Sequence, residues 1–208
     1  MSYNLTETQQ IEELKKIWRE YGIAVVAGVV IALTIVLGWH FYKSYKTTQA
    51  QQASVIYQDV IIAGMNNNGI ALFDKSNELI EKYPSTAYAT LAALTLAKIN
   101  VGKNDLNAAE QNLFWVISHT KIDSIRTIAQ IRLARIYIAN KQNESALKIL
   151  NSIHDKTFNT AVYEATGDLY SKEGNKIFAK KYYQKAIDSI EGSKISHSFL
   201  EMKLQSIS

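Results

Sequence analysis

Between Gly22 and Tyr42 the chain reads GIAVVAGVVIALTIVLGWHFY, twenty-one residues without one Asp, Glu, Lys or Arg. A backbone in hydrocarbon must satisfy its own hydrogen bonds, and a single segment does so only as a helix. As a helix this segment extends ~32 Å, against a bilayer core of ~30 Å. Its ends carry interfacial residues: Tyr21 on one side, and Trp39, Phe41 and Tyr42, followed by Lys43 and Lys46, on the other. A cleavable signal peptide needs a shorter apolar run and a small-residue cleavage site, but Trp39, His40, Phe41 and Tyr42 stand there instead. Core helices of soluble proteins seldom run this far without a charge. The segment reads as an uncleaved single-span anchor. Ala24, Gly28 and Ala32 recur every four residues and form a small-residue face that a second membrane helix can approach closely.

Lys15, Lys16 and Arg19 precede the span, while Lys43 and Lys46 follow it with no further positive charge until Lys75. With the terminal amine, this balance favours a cytoplasmic N-terminus. The chain then divides into a short arm (1–21), the span (22–42) and a soluble region (43–208).

One proline and nine glycines are too few for an all-β protein with frequent tight turns, so the soluble region should be all-α. Its helical periodicity carries an internal repeat. Small residues in three successive first helices stand at Leu96-Ala97, Leu133-Ala134 and Thr166-Gly167, and their second-helix counterparts are Ala109, Ala146 and Ala179. Both series step by 37 and then 33 residues, with twelve positions between the two small residues of each unit. Leu113, Leu150 and Tyr183 follow the second alanines by four. Small residues let paired helices cross tightly, and the large ones fill the gaps between pairs.

This spacing resembles the tetratricopeptide repeat, with its period of about 34 residues. The third unit matches best, through Gly167, Tyr170, Gly174, Ala179, Tyr183 and Ala186. The turn Glu173-Gly174-Asn175 suits a left-handed helix end, and the first two units lack that glycine. A divergent upstream pair ends at Tyr83-Pro84. The expected units are 49–84, 85–118, 124–153 and 159–190. A C-terminal helix over 194–208, with Ile195, Phe199 and Met202 on one stripe, would cap the open end of the α-solenoid.

Chemistry-bearing motifs are lacking. The chain has no Cys, which removes disulfides, thiolate metal sites and thiol nucleophiles. His40, His119, His154 and His197 are widely spaced, and no HExxH, phosphate-binding glycine loop or GxSxG occurs. No catalytic, metal or cofactor residue is expected, and no small-molecule substrate. After the span, 20 basic and 15 acidic residues give +5 without an arginine-rich stripe, which argues against nucleic acid. Lys172, Lys176, Lys180, Lys181 and Lys185 cluster on the last unit and read as a solvated or lipid-facing surface.

A binding role follows more naturally. The repeat phase puts Leu91, Leu94, Lys98 and Val101, then Ile128, Ile131, Arg135 and Ile138, along a groove lined by first helices. Ala161, Glu164, Asp168 and Ser171 continue it. This describes an apolar trough with two cations at one end and two carboxylates at the other, suited to an amphipathic or extended protein segment. The competing expectation is that several of these residues are core, or lie beneath the capping helix.

The arm IEELKKIWREYG with Trp18 and Gly22, the span ending GWHFYKSYK, the YPSTAYATLAALTLAK stretch from Tyr83 to Lys98 and the degenerate repeats together resemble the YfgM-type ancillary subunit of the SecYEG translocon. The resemblance implies a single-pass inner-membrane protein of Gram-negative bacteria with its repeat domain in the periplasm. It also implies two partners: the SecYEG translocon, and a membrane-anchored periplasmic chaperone of the peptidyl-prolyl isomerase type. The function so implied is an interaction scaffold between translocon and chaperone during export. The alternative is a membrane-tethered regulator that sequesters a stress-signalling or cell-envelope protein. Protease added to spheroplasts should degrade the region after residue 43; full protection of that region would reverse the topology.

Overall fold

The computed structural model describes residues 7–190 and 194–207. Among these residues there are nine α-helices and no strand: α1 (Glu7–Met65), α2 (Gly69–Lys82), α3 (Ala87–Gly102), α4 (Leu106–His119), α5 (Asp123–Ala139), α6 (Asn143–Asn151), α7 (Asn159–Lys172), α8 (Lys176–Asp188) and α9 (Lys194–Ser206). A 3₁₀ turn, Lys156–Phe158, precedes α7. The chain divides between Gln51 and Gln52 into two compact units.

The arm, the span and the first helix of the upstream pair, set apart on sequence grounds, fall within one helix of 59 residues. No proline interrupts it, and the hydroxyls of Thr34 and Thr47 donate back to the carbonyls of Val30 and Lys43 at 2.8 and 3.0 Å. Thr34 is therefore satisfied within its own helix, as the apolar stretch requires. Residues 18–65 contain a segment long and apolar enough to cross a membrane, with a mean hydropathy of 2.5 and only 6% of it buried. Ile23, Val29, Leu33, Ile35 and Leu37 all point outward, which lipid favours and water opposes. At one end the Trp18 indole folds over Gly22, so that a Cβ there would lie 3.3 Å from the ring. At the other, Lys46 lies 5.0 Å above the Tyr42 ring.

In the second unit, helices pair along the chain: the end of α1 with α2, then α3/α4, α5/α6 and α7/α8. Ala97, Ala109, Ala134, Ala146 and Ala179 are at most 3% exposed, and Leu113, Leu150 and Tyr183 fill the spaces beside them. Gly167 is the tightest crossing. A Cβ at this position would lie 2.6 Å from the Tyr183 ring, so the glycine is a steric requirement of the α7–α8 approach. The core runs the length of the repeats because bridging residues pack on both sides: Trp115 between the first two clusters, Tyr137 between the next two, Tyr170 before the last.

A recurring turn closes each pair. Asn67, Asn104, Lys141 and Gly174 all adopt positive φ, at 53°, 60°, 61° and 76°. The next residue's N–H bonds the carbonyl five positions back: Asn68 to Ala63, Asp105 to Asn100, Gln142 to Tyr137 and Asn175 to Tyr170, at 2.8–2.9 Å. This is the Schellman arrangement. In three of the four turns the same residue also caps the next helix, through Asn68, Asp105 and Asn175 side chains accepting from Ala71, Ala108 and Phe178 N–H. The turn glycine is thus replaced by Asn in two units, a residue that tolerates the left-handed region. Lys141 has no such tolerance.

Counting back from these turns explains why the upstream pair matches only in part. Val60 and Leu72 occupy its small positions and Ser76 the large one, and all three are buried. Large and small have exchanged places between Leu72 and Ser76, while Val60 adds bulk at the other position. The cost falls on Ser76, whose buried hydroxyl has no hydrogen-bond partner among the described residues.

The C-terminal helix covers the last pair, but not with the expected stripe. Leu200 and Ile207, 2% and 9% exposed, pack with Leu204 against Ala179, Tyr183 and Ala186. Phe199 and Met202 are 48% and 58% exposed, and the Ile195 side chain lies outside the described residues. Both stripes, 195/199/202 and 200/204/207, have helical spacing, but neighbouring helix positions differ by about 100° and only one set can face inward. Lys203 lies on the inward stripe with Leu200, Leu204 and Ile207. Its ammonium reaches Glu164 at 2.7 Å and Asp168 at 2.7 and 2.9 Å on α7.

A β-carbon in the left-handed region costs about 1 kcal/mol or more, which glycine avoids at some entropic penalty. Lys141→Gly should therefore raise the melting temperature of the full chain in detergent by roughly 2–4 °C, read by circular dichroism. An unchanged or lowered transition would mean that this turn carries no strain.

Candidate functional site

The first helices α3, α5 and α7 supply the expected groove residues, and the structure sorts them by depth. Leu91, Leu94 and Ile128, on the N-terminal halves of α3 and α5, are half-buried. Ile131 and Ile138 are each 4% exposed and belong to the interior. This corrects the assignment of both Ile131 and Ile138 to an open surface. The reason lies in the position of α5, which packs against α4, α6 and α7 together, leaving little of its circumference for solvent.

Toward the C-terminal halves the surface opens. Lys98, Val101 and Arg135 are exposed and line a cavity of about 400 Å³ whose floor includes Ala97, Leu113 and Ile136. Arg135 is shared with a second cavity of about 340 Å³, bordered by Ile138, Asp168, Ser171 and Tyr183. One depression therefore runs from α3 across α5 to α7, with Arg135 at its waist. Sequence spacing missed Arg132, Ala139 and Leu106, which also line the first cavity. Arg132 stands three residues before Arg135, and that interval was a usable signal. Leu106 enters from the start of α4, a second helix, and nothing in a first-helix phase points to it.

The charges rearrange the expected trough. Glu164 accepts from Arg135 at 3.3 Å and from Lys203 at 2.7 Å. Asp168 accepts from Lys203 and, at 2.7 Å, from the Tyr183 hydroxyl. Both carboxylates at the α7 end are thus engaged by residues of the fold, and Lys203, on the capping helix, is the main one. At the other end Lys98 and Arg132 face the cavity, and neither has an ion pair or hydrogen bond among the described residues. Burial pushes the Tyr183 phenol up strongly, and the negative Asp168 that it bonds adds to the shift. Tyr137, which donates to Glu110 at 3.0 Å, is raised for the same two reasons.

On α1, Ala24, Gly28 and Ala32 are all exposed, and a Cβ built on Gly28 would meet nothing within 4 Å. Among the described residues no group of three His, Cys, Asp or Glu side chains is placed to hold a metal ion.

The tetratricopeptide repeat-like domain family matches residues 15–208. Three curated relatives carry the name ancillary SecYEG translocon subunit. That of Haemophilus influenzae is 28% identical and spans 100% of both chains. That of Aggregatibacter actinomycetemcomitans is 30% identical over 89% of this chain and 91% of its own. The Escherichia coli protein is 26% identical over 97% of each. No solved structure gives a significant match.

A raised phenol makes stability fall with alkali. Below about pH 10 the proton is held in both states; above it the unfolded Tyr183 ionises while the folded one does not, and stability declines as pH rises toward the folded value. Tyr183→Phe should flatten the loss of stability between about pH 10 and 11 in denaturant titrations, at a cost of about 1–2 kcal/mol at pH 7 from the lost bond to Asp168. An alkaline slope identical to wild type would remove Tyr183 as its source.

Proposed function

The chain belongs to the ancillary SecYEG translocon subunit family, and from that premise we propose that it is a membrane-anchored interaction scaffold, held beside the translocon by α1, with its repeat domain receiving protein partners. The observation that carries this reading is the end-to-end match to relatives of that name, anchor and repeats together. The fold is consistent with it. One helix is suited to lipid, and the repeat region offers an open, largely apolar depression of a size at which protein side chains dock. The function is binding rather than catalysis.

In its finer form, the N-terminus is cytoplasmic and the repeats are periplasmic, where they link the translocon to a membrane-anchored chaperone of the peptidyl-prolyl isomerase type. The Ala24, Gly28 and Ala32 face contributes to helix contacts in the membrane, since small residues permit close approach. The groove receives the chaperone or its clients through Val101 and its neighbours. Ile131 is unsuited to testing this, because an aspartate there would disrupt the core.

The decisive experiment crosslinks the full chain, anchor intact, in membranes and compares it with Val101→Asp, an exposed substitution at 48% accessibility. Wild type should capture translocon subunits and a periplasmic chaperone. The variant should keep the translocon adducts and lose roughly tenfold of the chaperone adduct. Equal capture by both would clear the groove of this role. Absence of translocon adducts, with a signalling protein captured instead, would overturn the scaffold reading in favour of a regulator.

A further inference from the structure

The depression on α3 and α5 is selective for charge as well as for apolarity, and we propose that its occupant is an apolar segment bearing carboxylates, with Lys98 and Arg132 as the specificity residues. The inference deepens the groove reading above and rests on it.

Lys98, Arg132, Arg135, Asp168 and Lys172 line the depression, and Glu164 stands beside Arg135. On sequence grounds Lys98 and Arg135 make one end positive, and Glu164 and Asp168 make the other negative. The structure cancels one end. Lys203 of α9 sits 2.7 Å from both Glu164 and Asp168, and its side chain is only 21% exposed, so the pairing is partly withdrawn from water. Arg135 adds a second cation to Glu164 at 3.3 Å. What remains toward solvent is a cavity with an aliphatic floor of Ala97, Leu113 and Ile136, rimmed by Lys98 and Arg132. These two cations have no internal counter-charge among the described residues. Both are also long, flexible side chains beside an apolar floor, where docking an apolar segment excludes water and strengthens their attraction to a carboxylate.

Charge complementarity therefore selects one class of partner. A segment whose apolar side chains enter the floor and whose Asp or Glu side chains meet the rim is attracted. A segment with Lys or Arg at the same places meets two uncompensated positive charges and is rejected. The selectivity is not intrinsic to α3 and α5 alone. It depends on α9, whose Lys203 pairs with the α7 carboxylates Glu164 and Asp168 that could otherwise recruit a basic segment.

The test uses the full chain in a non-ionic detergent and three fluorescent peptides of about 15 residues, sharing one amphipathic apolar pattern and differing only at polar positions: Asp/Glu, Asn/Gln or Lys. In anisotropy titrations the acidic peptide should bind roughly tenfold more tightly than the neutral one, and the basic peptide more weakly still. The preference should shrink as salt rises from about 0.05 to 0.5 M. Lys98→Gln/Arg132→Gln, both exposed, should erase the acidic preference, so that acidic and neutral peptides bind alike. Lys98→Glu/Arg132→Glu should reverse the preference, with helicity and melting temperature as the check on folding. Equal binding of acidic and neutral peptides, both lost in Val101→Asp, would sustain the groove and overturn its charge selectivity. Binding of all three that ignores Val101→Asp would overturn the groove itself, and the selectivity with it.

Discussion

The close crossing of paired helices, set by small side chains at two positions per repeat, is the constraint that the soluble unit depends on. Ala97 with Ala109, Ala134 with Ala146 and Gly167 with Ala179 let the two backbones approach until larger neighbours are forced into the spaces between pairs. At Gly167 there is no slack, since the Tyr183 ring occupies the place of a Cβ. Interiors at crystal-like density transmit such limits. The position of each pair therefore determines where Trp115, Tyr137 and Tyr170 lie between clusters, and the upstream pair meets the same limit by exchanging Leu72 and Ser76.

The turn between paired helices is the second regularity. A left-handed residue and a backbone bond five positions back occur at all four turns, although only one of the four residues is glycine. Asparagine at Asn67 and Asn104 accepts the conformation at modest cost, whereas Lys141 holds it at φ 61° between the packed helices α5 and α6. Repetition of geometry thus outlasts repetition of sequence.

The capping helix has an effect beyond covering the last pair. By placing Lys203 against Glu164 and Asp168 it satisfies two carboxylates on α7, and so determines which charges the depression presents. Lys203, thirty-five positions beyond Asp168 in the chain, neutralises the α7 end of the depression. The ion pairs that dock α9 also neutralise the carboxylates of α7.

Some of this was legible in the residues. An uncharged run from Gly22 to Tyr42 admits few structures, and a 37- and 33-residue recurrence of small side chains implies stacked helix pairs, since periodicity and volume are local properties of a sequence. The exposure of Lys98, Val101 and Arg135 followed from the same phase. Three things did not follow. Ile131 shares its phase with surface neighbours, but α5 is surrounded, and burial depends on how many partners a helix has. The C-terminal helix offered two stripes of identical spacing, and only contact with α7 and α8 chose Leu200, Leu204 and Ile207. The charge of the depression depended on a long-range pairing. By itself, then, the sequence determined the anchor, the all-α class and the repeat, all of which are written in runs and periods. Tertiary structure alone decided which way the last helix turns and which charges stay free, because both depend on contacts between residues far apart in the chain.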